Sequence, residues 1–134
     1  MPGTIMTRLT KGADLVEEIG RVARENGLRK ASVQVIGALT GARLAYYIQA
    51  DQRYVDHEVD ECVELLAGLG NVSIKDDDIF VHLHLTLSRE DGTTTGGHAM
   101  DGCTIFAAEC VLTPVEGKDL VRRHDAATGL YLWS

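Results

Sequence analysis

The sequence predicts an α+β domain, one helix packed on a curved antiparallel sheet. Residues 13–26 hold the only good run of apolar residues at helical spacing. From residue 32 onward the chain alternates polar and apolar with period two, broken by turns rich in glycine and aspartate. One helix followed by many strands is the α+β pattern, and 134 residues suit one domain over 1–134.

Residues 4–9 alternate loosely and read as a short first strand. In the helix, Leu15, Ile19, Val22 and Ala23 form the apolar stripe, with Glu17, Glu18, Arg21, Arg24 and Glu25 mostly opposite. Asp14 falls where a carboxylate favours the helix dipole, and Gly27 supplies a left-handed stop. Residues 32–39 and 42–49 are β-rich, and Thr40-Gly41 between them predicts a hairpin or bulge. Residues 53–59 and 61–73 follow, and Gly68 and Gly70 predict a kink or bulge in the second. Lys75-Asp-Asp-Asp78 and Arg89-Glu-Asp-Gly92 read as turns. Residues 102–115 form the last long strand, ending near Pro114, and residues 130–133 a short terminal strand or docking segment.

The strand between those two turns, Phe80-Val-His-Leu-His-Leu-Thr-Leu-Ser88, carries the chemistry. Val81, Leu83, Leu85 and Leu87 share one face; His82 and His84 share the other. Residues two apart on a strand lie roughly 6.5–7 Å apart at Cα. Imidazoles at that spacing can converge on one ion, since a Zn–N bond is about 2.0–2.1 Å. Gly96-Gly97 lets a loop fold back closely and deliver His98 as a third donor. Three histidines with a vacant fourth position form many catalytic zinc sites. Zinc is the default ion, with nickel, copper and iron competing for the same donors. Affinity is expected to fall as pH drops through the histidine pKa, about 6.5 when unperturbed.

Other residues read more plainly. His57 and His124 are expected in solvent, and Tyr46 and Tyr47 in core or interface packing. Cys62, Cys103 and Cys110 lack ligand spacing and are expected as reduced thiols, with Cys62 and Cys110 packed among apolar neighbours. The net charge of −7 disfavours direct nucleic-acid binding, which depends on neutralising phosphates. The basic doublets Arg29-Lys30 and Arg122-Arg123 read as solvated surface. No apolar run approaches the ~20 residues that span a bilayer. The N-terminal segment lacks a secretory apolar region, so the expected location is the cytoplasm.

Gly37-Ala38-Leu39, Glu64-Leu-Leu-Ala-Gly-Leu-Gly70, His82-x-His84, Asp91-Gly92 and Gly96-Gly97-His98 follow one another in an order that resembles the PPC (plants and prokaryotes conserved) domain family. The likeness runs from about Arg8 to Val115. It implies the α+β fold above, a homotrimer, and a metal held by His82, His84 and His98. The family also has a DNA-binding label, owed largely to the AT-hook of its plant members; this chain has no such basic tripeptide. The fold is similar to that of acetolactate decarboxylase, which binds zinc through a comparable histidine set, although fold alone does not transmit function.

Three functions follow as expectations. One is a metal-binding regulatory module, with itself and a small acidic ligand as partners. Another is a zinc-dependent enzyme acting on a small oxo- or hydroxy-acid. The third is the DNA-associated role of the family label. An enzyme would need a proton-transfer group and a cation near the metal. Glu64 and Glu109 are the candidate acids, Arg8 and Arg43 the candidate cations. Alternation places Glu109 on one face with Ile105, Ala107 and Val111, where a carboxylate would need a partner.

Overall fold

The computed structural model describes residues 2–134. Helix α1 (Leu15–Glu25) forms where the sequence places it. Asp14 is its N-cap: one carboxylate oxygen accepts from the Glu17 amide at 3.1 Å, and the other accepts from the Gly102 amide at 2.7 Å. One side chain thus satisfies an orphan helix donor and ties the helix to the following sheet. Gly27, at φ +67°, ends the helix. Leu15, Ile19, Val22 and Ala23 are buried. Glu18 is buried too, and accepts from the Thr10 amide at 2.7 Å and from Arg21. These bonds hold its carboxyl down at about 2, the Arg21 contact being the largest cause.

The strands are β1 (Ile5–Arg8), β2 (Ala31–Ile48), β3 (Arg53–Val59), β4 (Val63–Lys75), β5 (Asp78–Ser88), β6 (Thr94–Ala99), β7 (Thr104–Pro114), β8 (Arg122–His124) and β9 (Tyr131–Trp133). The main sheet runs β1-β7-β2-β4-β5-β6, and β6 also pairs with β2, which closes part of the sheet into a ring. β3 pairs with the second half of β2, and β8 with β9 make a separate hairpin. Every pairing between these strands is antiparallel. The core lies between the inner faces of the strands and α1, and includes Leu9, Leu39, Leu44, Leu83, Leu87 and Leu112. Among the described residues, no helix is long and apolar enough to cross a membrane.

Of the hairpin or bulge expected at Thr40-Gly41, the structure forms the irregularity: the register with β7 shifts between Leu39 and Gly41, and β2 continues through as one strand of 18 residues that changes partners there. Its first half pairs with β4 and β7; its second half pairs with β3 and β6. The irregularity expected at Gly68 and Gly70 falls between Leu65 and Ala67, where the register with β5 shifts. The glycines serve close approach instead. A Cβ at Gly70 would stand 1.9 Å from the His82 carbonyl oxygen, and one at Gly68 would stand 2.5 Å from Val35 Cγ1. The turn between β4 and β5 is tight, with Asp76 and Asp77 both at positive φ (50° and 63°), as two-residue hairpins with matching twist require.

Gly70 therefore sets how closely β4 lies against the histidine strand. Gly70→Val is expected to cost about 1–3 kcal/mol through overpacking, read as a lower urea midpoint. Gly3→Val, at a glycine with no atom within 4 Å of its would-be Cβ, should leave that midpoint nearly unchanged.

Candidate metal centre and its pocket

Alternation on β5 turns Leu83, Leu85 and Leu87 into the core and leaves His82 and His84 on the outer face. Their Nε2 atoms are 3.1 Å apart. In the β5–β6 register His98 stands directly opposite His84, and its ring centroid is 5.2 Å from that of His82 and 5.5 Å from that of His84. One nitrogen from each ring lies within 4.8 Å of the other two. Two ligands of one zinc ion can be at most about 4.2 Å apart, a spacing close to that of these three nitrogens.

Gly96 and Gly97 do not sit in a loop as expected; they belong to β6. The physical role is nonetheless close approach. A Cβ at Gly96 would meet the Leu85 carbonyl oxygen at 2.5 Å, and one at Gly97 would meet the Ala45 carbonyl oxygen at 3.0 Å. The bare backbone lets β6 fit between β5 and β2 with His98 in register.

Two features suit a cation. His98 Nδ1 is buried without a hydrogen-bond partner, a costly state for a polar atom. At 3.1 Å the facing Nε2 atoms of His82 and His84 share one proton between neutral rings, or both turn their lone pairs to one ion. Burial, then the neighbouring His98, Arg122 and His84, lowers the His82 pKa to about 4. Burial also lowers that of His98, with His84 and Arg122 adding to it. Neutral imidazole is the ligating form. Burial thus favours the ligating form at His82 and His98.

Beside the imidazoles lies a pocket of about 410 Å³. The β8–β9 hairpin, Tyr54 and Phe80 help form its walls, and the Tyr54 ring is 5.1 Å from that of His98. Burial raises the Tyr54 pKa. Arg122 belongs to this wall, which corrects the solvated reading of the Arg122-Arg123 doublet: Arg123 is exposed, Arg122 is 9% exposed. Its Nε donates to Ser73 Oγ at 3.0 Å, Nη1 to the Tyr131 carbonyl at 3.1 Å, and Nη2 to Asn71 Oδ1 at 3.0 Å. Nη2 is also 3.5 Å from His82 Nδ1. Sequence reasoning missed Arg122 because burial of one member of a basic pair depends on a hairpin that lies far from β4 in the chain.

The other candidates lie elsewhere. Glu64, Glu109, Arg8 and Arg43 do not line the histidine pocket. Glu64 is exposed on β4 beside a second depression. Glu109 is exposed opposite Arg8, not on the buried face of Ile105. The register between β2 and β7 steps from Ala38↔Ala107 to Leu39↔Ile105, and this bulge at Phe106 reverses the alternation. Arg43 pairs with Asp56. Cys62 is exposed, against expectation, while Cys103 and Cys110 are buried free thiols. Tyr46 is exposed, and Tyr47 is half-buried, its hydroxyl donating to the Thr128 carbonyl at 2.5 Å. His57 and His124 are exposed as expected.

The sequence model of the Plants and Prokaryotes Conserved (PCC) domain matches residues 2–116. A metal-containing protein of Archaeoglobus fulgidus superposes with a TM-score of 0.94 at 37% identity, covering 100% of this chain and 95% of that one. A plant- and prokaryote-conserved protein of Pyrococcus horikoshii gives 0.93 at 30%, covering 98% and 90%. A protein of Bacteroides thetaiotaomicron, provisionally described as DNA-binding, gives 0.91 at 22%, covering 100% and 93%; at that identity the likeness concerns fold alone. The bifunctional protein GlmU of Synechococcus sp. (strain JA-2-3B'a(2-13)) is 40% identical over 124 residues, 91% of this chain. This chain spans only 18% of that protein's length.

The lowered histidine pKa has a measurable sign. Above pH 6.5 both folded and unfolded His82 are neutral and contribute nothing; as pH falls toward about 4 the unfolded form takes up a proton first, and stability is lost. The melting temperature of metal-stripped protein should therefore fall between pH 6.5 and about 4. His82→Gln should flatten that slope, and an unchanged slope in the variant would refute the assignment.

Proposed function

This chain belongs to the Plants and Prokaryotes Conserved (PCC) domain family, and on that premise we propose a metal-binding module in which His82, His84 and His98 hold one zinc ion. The observation that supports this most directly is the meeting of three imidazole nitrogens within 4.8 Å on two paired strands. The chemistry of the donors favours zinc, and the metal-containing relative from Archaeoglobus fulgidus lends the reading weight. A bound zinc ion would polarise a carbonyl or lower the pKa of a bound water. The chain's own residues position the three rings and narrow the approach to them.

The module is proposed to be cytoplasmic and homotrimeric. Met6, Phe106, Ile36 and Leu69 are exposed on the adjacent strands β1, β7, β2 and β4, an apolar surface that suits association with further copies. A regulatory role fits a centre that binds a small acidic ligand. Direct DNA binding is disfavoured by the net charge of −7.

A second reading, a zinc-dependent enzyme acting on a small oxo- or hydroxy-acid, is favoured by the pocket that opens beside the imidazoles. Loss of such an acid on incubation with zinc-loaded protein, abolished by chelation, would select it over the regulatory role.

Elemental analysis after zinc loading and desalting should find about one ion per chain. His82→Ala and His98→Ala should hold close to none. Zinc at a hundredfold excess over its dissociation constant should add about 2.7 kcal/mol to the wild type alone. Wild-type protein that retains no more zinc than the variants would overturn the proposal.

A further inference from the structure

The pocket wall contains cations and no acid. Arg53, Lys75 and Arg122 line it, and no aspartate or glutamate does; Arg53 is paired with Asp51 at 3.6 Å, which leaves Arg122 and Lys75. No described carboxylate is within 4.0 Å of either cation. A buried guanidinium is costly unless a counter-charge accompanies it. The groups that Arg122 bonds at 3.0–3.1 Å, on Ser73, Tyr131 and Asn71, are neutral. They use three of the five donors that a guanidinium offers. Its Cζ lies over two aromatic rings, 5.2 Å from the centroid of Phe80 and 5.1 Å from that of Trp133. Lys75 Nζ lies 4.0 Å from the Tyr131 ring centroid and 5.2 Å from that of Phe80. Cation–π contacts fix such heads without neutralising them.

Of the two remaining donors, the one on Nη2 has an informative direction. Arg122 Nη2 faces His82 Nδ1 at 3.5 Å, too long for a strong bond. His82 Nδ1 is thus at best a weak, neutral acceptor for this donor, and an anionic oxygen seated in the pocket would accept from Nη2 in a shorter, charge-assisted bond. The rest of the wall, with Tyr54, Phe80, Met100, Leu130 and Leu132, suits an aromatic or branched apolar body.

We propose that this pocket recognises small organic carboxylates with an apolar body, and that Arg122, assisted by Lys75, anchors the carboxylate. This deepens the reading of the histidine pocket as a ligand site and does not require the imidazoles to hold metal. A purely structural Arg122, pinning the β8–β9 hairpin to the sheet, is the competing account. The accounts differ in what the cation does for a ligand's charge.

Phenylacetate and phenylacetamide have the same body and differ in charge, so they serve as probes on both metal-stripped and zinc-loaded protein. Trp133, the single tryptophan, stands against Arg122 and reports occupancy by fluorescence; calorimetry provides the independent readout. Phenylacetate is expected to bind saturably and the amide roughly 10- to 100-fold more weakly, the difference made by a charge-assisted bond. Arg122→Gln should remove that preference, Arg122→Lys should restore part of it, and Lys75→Met should weaken phenylacetate severalfold. Equal affinity for acid and amide, or no saturable phenylacetate binding up to about 10 mM, overturns the proposal in the unmutated protein, whether or not Arg122→Gln folds. Metal uptake is measured separately, so a chain that binds no zinc but prefers the acid would refute the metal reading and leave this one standing.

Discussion

The register between β5 and β6 is the constraint on which the site depends. It sets His84 directly against His98 and leaves His82 two residues along the same face. A slip of one residue would turn all the side chains of a strand to its other face. Leucines at 83, 85 and 87 would then leave the core, so the same burial that stabilises the sheet fixes the direction of the imidazoles. Function here borrows its precision from hydrophobic packing.

Glycine provides the second half of that precision. Gly70, Gly96 and Gly97 lie where a side-chain atom would collide with a neighbouring backbone or press tightly against it. Their effect is to bring β4, β5, β6 and β2 closer than side chains would allow. The cost is conformational entropy on folding, offset by the pairing that the approach permits.

Much of this was legible in the residues. Helix α1 and the histidine strand follow from apolar periodicity, and the shared face of His82 and His84 follows from the strand repeat of two. Gly96-Gly97-His98 signalled close approach, though a strand performs it where a loop was expected. What could not be read are the places where one strand serves several partners. β2 switches neighbours at Thr40-Gly41 without reversing, and the bulge at Phe106 moves Glu109 from an inferred buried face into solvent. Local pattern is blind to such events, because both are decided by which distant strand lies alongside. Arg122 is the most consequential case: nothing in Arg-Arg-His announces burial, and only the return of Tyr131 and Trp133 over the sheet creates it.

The ring seam has a further consequence for how the molecule reaches this state. Leu44 and Ala45 meet Ala99 and His98 with β3, β4 and β5 all lying between them in sequence, and such distant pairings are slow to form because loop-closure entropy precedes any reward. His82, His84 and His98 do not wait for the seam, because all three lie on the consecutive strands β5 and β6, where His84 stands opposite His98. The trio of donors can therefore assemble before the seam shuts, so an ion is well placed to hold that local pair of strands while the rest of the sheet closes around it.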